Sequence, residues 1–227
     1  SENFLPLTYT RAVFELRSGM FIPLQRAEKL FPKSRLLLFA RRYLLPILKR
    51  RVPHATNDID AIDDEVLIMN GALYLNKQTR QLIQKKIGKN DAVTQKGRLM
   101  LARLDEIVAK EHGSILLNPT TIQESRKLLK ECSVLEAKNL PLMNYSWELI
   151  DSSSELIKED FPLLGAKKSE GTIDQGAVVY GEKSDVYVAK GAFIEAFVTL
   201  DARNGPIYVG ENAFVQSGSR ISGPAYV

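Results

Sequence analysis

Two stretches decide the reading: Val188-Ala-Lys-Gly-Ala-Phe-Ile194-Glu-Ala-Phe-Val-Thr-Leu200, and Val209-Gly-Glu-Asn-Ala-Phe-Val215-Gln-Ser-Gly-Ser-Arg-Ile221-Ser-Gly-Pro-Ala-Tyr-Val227. In each, a branched aliphatic returns at every sixth place. Four places after an aliphatic stands a small or β-branched residue: Ala192, Val198, Ala213, Ser219 and Ala225. Just before the small residue come Gly191 and Gly218, with Asn212 and Pro224 in the equivalent slots. A coil with three flat sides, each one hexad long, would bury one aliphatic per side and bend at the small residue. An antiparallel meander would instead show a period of two inside its strands and looser spacing between them. Asp201-Ala-Arg-Asn-Gly-Pro206 interrupts the count and reads as a corner loop. The regular residues make little more than two triangular turns, and each turn needs a neighbour to cover its edge. Because Val227 falls on a repeat position, the coil is expected to continue in a longer protein or to be covered by another subunit.

Toward the N-terminus the texture changes. The polar, glycine-containing joint Gly165-Ala-Lys-Lys-Ser-Glu-Gly171 separates the hexads from a segment in which strand-like and helix-like patterns alternate. Ser34-Arg-Leu-Leu-Leu-Phe-Ala40 reads as a buried strand, and Val66-Leu-Ile-Met69 as another that ends at the turn signal Asn70-Gly71. Lys77 to Lys86, with Leu82, Ile83 and Ile87 on one side, has the spacing of a helix packed on a sheet. Gly97 to Leu104 and Val134 to Ala137 read as strands, Thr121 to Glu131 as a helix, and Tyr145 opens a helix that runs to Phe161. Alternation of this kind predicts an α/β layer on a largely parallel sheet. The expected division is therefore an α/β domain over residues 1–165 and a β coil over residues 166–227.

The chain has 227 residues, 44% hydrophobic and 26% charged, a composition that excludes a disordered, collagenous or disulfide-scaffold protein. The single cysteine, Cys132, cannot pair within the chain, and a packed core position in a reducing cytosol is expected for it. The longest apolar runs, Leu36 to Ala40, Ile115 to Leu117 and Val66 to Met69, fall far short of the ~18 residues that cross a bilayer. No basic start followed by an apolar stretch marks a signal peptide, so a soluble cytoplasmic protein is expected. The net charge of +4 is small. Arg41-Arg42, Lys49-Arg50-Arg51 and Lys85-Lys86 read as solvated helix faces, because a nucleic-acid surface would want a denser stripe with interleaved aromatics. A phosphorylated small ligand suits the positive excess.

Several residues could carry chemistry. Asn70 and Gly71 end an expected parallel strand, the place where open α/β sheets hold ligands. Asn57-Asp-Ile-Asp60, followed by Asp63-Asp-Glu65, could offer a metal carboxylate through Asp58 or Asp60, although a solvated loop is the better account of them. His54 and His112 stand too far apart, and lack suitable companions, for a zinc site. Trp147 is expected to anchor its helix on the sheet.

An α/β domain followed by hexapeptide turns resembles the sugar-phosphate nucleotidylyltransferases, the group that includes the bifunctional UDP-N-acetylglucosamine pyrophosphorylase/glucosamine-1-phosphate acetyltransferase. Phe4-Leu-Pro-Leu-Thr-Tyr-Thr-Arg11 resembles the Pro-Leu-Thr segment after the phosphate loop of those enzymes. Val13-Phe-Glu-Leu-Arg-Ser-Gly19, Tyr145-Ser-Trp-Glu-Leu-Ile150, Gly205-Pro-Ile-Tyr-Val-Gly210 and Ser222-Gly-Pro-Ala-Tyr-Val227 resemble motifs of a divergent branch. The resemblance implies a Rossmann-like nucleotidyltransferase domain that lacks its first strand here, then the start of a left-handed parallel β-helix that assembles as a trimer. It also implies Mg²⁺, a nucleoside triphosphate and a sugar 1-phosphate, with no nucleic-acid or membrane partner.

On the same footing Arg11 and Arg17 become the candidate catalytic residues, their planar guanidinium donors suiting phosphate oxygens. Thr8 and Thr10 become candidate phosphate donors beside Asn70 and Gly71. Two positions depart from the pattern: Val13 occupies the slot of a phosphate-binding lysine, and Ala72 that of the aspartate that helps hold Mg²⁺. Any acyltransferase residues of the coil would lie beyond Val227. Two functions are therefore open, a sugar-1-phosphate nucleotidylyltransferase and a non-catalytic relative that binds a nucleotide or sugar phosphate or only assembles.

Overall fold

The computed structural model describes residues 2–52, 57–113, 122–165 and 168–227; His54, the Ile115–Leu117 run and Thr121 lie outside them. It is a mixed α/β structure whose described residues gather into two compact units. One comprises Ser1–Leu16 and Pro23–Ser146, the other Arg17–Ile22 and Trp147–Val227. Among these residues no helix is long and apolar enough to cross a membrane.

The first unit opens with three short 3₁₀ turns, Glu2–Phe4, Leu7–Tyr9 and Val13–Glu15. Helix α1 (Pro23–Leu30) follows, with proline in the first turn, where its missing N–H costs nothing. Then comes α2 (Leu45–Arg51) and strand β1 (Val66–Met69). Helix α3 (Lys77–Lys86) is capped by Asn76, whose side chain accepts the Thr79 N–H at 3.0 Å. Strands β2 (Asp91–Gln95) and β3 (Arg98–Leu104) form a hairpin around Lys96 and Gly97, both at positive φ, as a tight two-residue turn requires. Helix α4 (Glu106–Glu111) is capped by Asp105, and helix α5 (Ile122–Glu131) leads into β4 (Ser133–Glu136).

The sheet order is β1-β3-β2-β4. It is not the largely parallel sheet expected from the alternation: β1 and β2 both run antiparallel to β3, and only β4 lies parallel to β2. The hairpin is the physical reason, since two residues suffice to reverse a chain but not to cross over to a parallel neighbour. Ser34 to Ala40, expected as a strand, is extended with a single bridge residue at Leu38. Leu36 and Leu37 nonetheless join different apolar clusters, as alternate residues of a strand do. One cluster holds Leu73, Ile83, Val93 and Leu101; the other holds Ala92, Ala102, Leu104 and Leu128, with Cys132 partly buried against it.

In the second unit, α6 (Glu148–Asp151) and α7 (Ser153–Asp160) run into a 3₁₀ turn, Phe161–Leu164, closed by Gly165 in the left-handed region. Trp147 stands just before α6 and is well exposed, not the buried anchor expected of it. Nine short strands follow: β5 (Thr172–Ile173), β6 (Val178–Tyr180), β7 (Val186–Val188), β8 (Phe193–Ile194), β9 (Thr199–Asp201), β10 (Ile207–Val209), β11 (Phe214–Val215), β12 (Arg220–Ser222) and β13 (Ala225–Tyr226). They are dealt in turn to three parallel sheets, β5-β8-β11, β6-β9-β12 and β7-β10-β13, an arrangement that fits a three-sided β-helix.

The hexad aliphatics stack directly, Val188 on Val209, Ile194 on Val215 and Leu200 on Ile221. Val188, Ile194, Leu200 and Val209 are fully buried, with Val198 and Ile207 filling the space between them. The interruption after Leu200 is a corner loop. The preceding turn carries its own insertion at the same corner, where Lys183–Asp185 forms a 3₁₀ turn. Gly191 has φ +75°, and a Cβ there would lie 2.3 Å from the Asn212 side-chain oxygen of the next turn.

Candidate functional site

A pocket of about 150 Å³ opens where β1 ends and β3 begins, lined by Asn3, Phe4, Val13, Asn70, Ala72 and Arg98 together with Met100, Leu142, Met143 and Asn144. Backbone bonds build its floor: Asn70 N–H donates to the Met100 carbonyl at 2.8 Å, and Met143 N–H to the Ala72 carbonyl at 2.8 Å. The Asn70 side chain is occupied in shaping the turn, since its oxygen accepts the Ala72 N–H at 3.0 Å. Its amide nitrogen points to the Leu99 carbonyl at 3.4 Å. Gly71 continues that turn, and a Cβ there would meet Phe14 at ordinary contact distance. Asn70, Ala72 and Val13 thus meet in one place.

The segment Phe4 to Arg11 reaches this place under restraint. Phe4 is buried. Arg41 donates to the Thr8 carbonyl, and Arg51 donates to the Thr10 carbonyl at 3.1 Å and pairs with the buried Glu15 at 3.4 Å. Glu15 in turn accepts the Ala12 N–H at 2.9 Å. Arg41 and Arg51, read from sequence as part of a solvated face, are therefore braces of this segment. The Thr8 side chain is fully buried and Thr10 is exposed. Arg11 is exposed, and its guanidinium has no bonded partner among the described residues; none of Thr8, Thr10 and Arg11 lines the pocket.

Arg17 belongs to the second unit. Its guanidinium donates to the Met20 carbonyl and lies 5.2 Å from the centre of the Tyr226 ring. Asp58 and Asp60 lie on an exposed turn in which the Asp58 carboxylate accepts the Asp60 N–H at 3.0 Å, and neither lines the pocket. His112 caps the end of α4, and its Nε2 stands 3.0 Å from a Glu131 carboxylate oxygen, with Glu111 close by. None of these three lines the pocket either.

The residues that sequence reasoning missed are Arg98, Asn3 and Asn144. Arg98 follows the Lys96-Gly97 turn, and only the strand register links it to Asn70. Met69 pairs with Leu101, Asn70 N–H reaches the Met100 carbonyl, and Ala72 and Arg98 on either side of that junction line the same pocket. Among the described residues the Arg98 and Asn3 side chains have no protein partner. Asn144 donates to the Leu142 carbonyl at 3.2 Å.

Mg²⁺ is held by oxygen ligands, of which carboxylates are the usual protein contribution. This lining offers amides, thioethers, aliphatic groups and one guanidinium, but no carboxylate, and the guanidinium would repel a divalent ion. The pocket does not fit the metal that the resemblance implied.

A search of curated proteins finds no match to the chain. A sequence model of the family described as sugar nucleotidyl transferase matches residues 1–169, a span that includes every residue lining the pocket. By that match, which takes in well over half of the chain, the protein belongs to the sugar nucleotidyl transferase family.

Proposed function

We propose that the protein transfers a nucleotidyl group from a nucleoside triphosphate to a sugar 1-phosphate. A sugar-phosphate oxygen forms a bond to the α-phosphorus, the bond from that phosphorus to the bridging oxygen breaks, and pyrophosphate leaves. The family supports the reaction class. The observation that carries the assignment to this site is the pocket at the end of β1, with an arginine and amides in its wall. Aligning two polyanions and offsetting their charge is the main work of such an enzyme. Arg98, and Arg11 from the braced N-terminal segment, are the groups with guanidinium donors to spare.

The same reading takes residues 1–165 as the transferase domain and residues 166–227 as a left-handed β-helix through which three copies assemble. It relates the protein, as a divergent branch, to the group that includes the bifunctional UDP-N-acetylglucosamine enzymes, and it expects the protein to work in the cytoplasm. The test is pyrophosphate release from purified protein, with and without Mg²⁺, across the common nucleoside triphosphates paired with glucose 1-phosphate, glucosamine 1-phosphate and N-acetylglucosamine 1-phosphate. Release with one pair is expected. Silence with every pair abandons the transferase reading.

A second reading, a nucleotide- or sugar-phosphate-binding relative without catalysis, is favoured by Ala72 and Val13, which leave the pocket wall with neither of the two charged groups that the resemblance calls for. Binding without any pyrophosphate release would select it.

A further inference from the structure

We infer that Arg98 and Asn3 form a metal-independent site for a phosphoryl group, with the guanidinium serving the charge-neutralising role at the end of β1. The inference deepens the proposal above and rests on its assignment of a nucleotide or sugar phosphate to this pocket. Where the resemblance calls for a carboxylate the chain has Ala72, and Arg98 lines the same pocket. The wall therefore offers no carboxylate to hold a cation and supplies a positive charge of its own.

The charge is available for a ligand. Arg98 and Asn3 have no bonded partner among the described residues, and no carboxylate lines the pocket to neutralise the guanidinium. Glu136 on β4 is occupied elsewhere, accepting the Lys96 N–H at 2.8 Å and the Thr94 hydroxyl. A guanidinium binds phosphate through paired parallel hydrogen bonds, and an amide N–H₂ adds a further donor. The volume is well under the ~300–1,000 Å³ of pockets that enclose whole small molecules, so it suits one group of a larger ligand. Phe4, Met100, Leu142 and Met143 make the remaining wall apolar, while Arg98 and Asn3 are exposed, so an anion reaches their donors directly from solvent.

The experiment is calorimetric titration of the full chain with UTP, ATP, GTP, CTP, dTTP, inorganic pyrophosphate and glucose 1-phosphate, each in EDTA and in excess Mg²⁺. At least one of these probes is expected to bind in EDTA with an affinity within about threefold of its affinity in Mg²⁺. The triphosphate and sugar-phosphate arms distinguish the source of the phosphoryl group. Arg98→Gln should weaken that binding at least tenfold, whereas Arg98→Lys should recover part of it. Ala72→Asp should weaken binding in EDTA and make it respond to Mg²⁺, because the new carboxylate would line the same pocket as the arginine. Thermal unfolding of each variant confirms that it folds. Binding that appears only with Mg²⁺, unchanged affinity in Arg98→Gln, or no binding of any probe overturns the inference. EDTA-resistant binding that Arg98→Gln abolishes, without pyrophosphate release, upholds the inference and rejects catalysis.

Discussion

Asp201 sits at the corner where the hexad count is interrupted, buried except for about 6% of its surface. Its carboxylate accepts Arg203 Nε and Nη2, each at 2.8 Å, and Arg220 Nη2 from the next turn. The Arg203 side-chain hydrogen bonds, first among the causes, stabilise the ionised form against the opposing effect of burial, the Arg203 N–H and the Arg220 charge add to them, and the carboxyl pKa falls from 3.8 to about 2. A group whose folded value is depressed contributes stability above its unfolded value and loses that contribution as pH falls toward the folded one. Asp201→Asn should therefore lower the thermal midpoint at pH 6 and above, and the gap from wild type should close between about pH 4 and pH 2. A gap that stays constant across this range would show that the carboxylate charge contributes nothing to the corner. Arg203 also lies 5.0 Å from the Tyr180 ring centre, so the corner joins charge to an aromatic face.

Among the elements, the strands of the coil carry a division that their sequence announces. Inward positions such as Ile194 and Leu200 are fully buried, while Phe193 and Phe214 stack outside with centroids 6.0 Å apart, and Tyr187, Tyr208 and Tyr226 stack at 5.3 and 5.2 Å. Ile194→Ala should cost about 2–5 kcal/mol in chemical denaturation, because it leaves a cavity between stacked turns. Phe214→Ser, on an exposed rung, should cost about 1 kcal/mol or less, the scale of one aromatic pair. Equal costs would mean that the interior is not where the hexads hold the coil. This element was legible because every turn repeats the same demand, an aliphatic inside and a small residue at the bend. The four-stranded sheet was less so. Asp91-Ala-Val-Thr-Gln95 has no distinctive alternation, and nothing local in Val66–Met69 says that its neighbour will be β3 in the reverse direction. The site suffered from the same limit. Asn70 and Ala72 could be found along the chain, but Arg98 reaches them only across the ladder, where register rather than sequence distance decides proximity.

At the scale of the whole chain, the second unit is assembled from two distant stretches, and no periodicity in Arg17–Ile22 announces that it belongs with residues after Trp147. The bonds explain the assignment. Ser18 Oγ donates to the Leu149 carbonyl at 2.6 Å, Gly19 N–H to Ser153 Oγ at 3.2 Å, and Met20 N–H to the buried Asp160 carboxylate at 2.9 Å. Met20 and Phe21 pack with Ile157 of α7, and Tyr208 of β10 joins the same cluster. Arg17, suggested by resemblance as a phosphate ligand, is engaged here with Met20 and Tyr226. The six-residue strap therefore closes a chain loop of well over a hundred residues, and the entropy lost in that closure must be recovered by burial and hydrogen bonding at the strap. Met20 is almost fully buried, so Met20→Ala should remove about 2–5 kcal/mol of that recovery. Hydrogen exchange resolved by segment is the suitable measurement, since local opening reports where stability is lost. Protection should fall in α7 and β10 while β2 and β3 keep theirs. Loss confined to β2 and β3 would place the strap with the first unit and refute its assignment to the second.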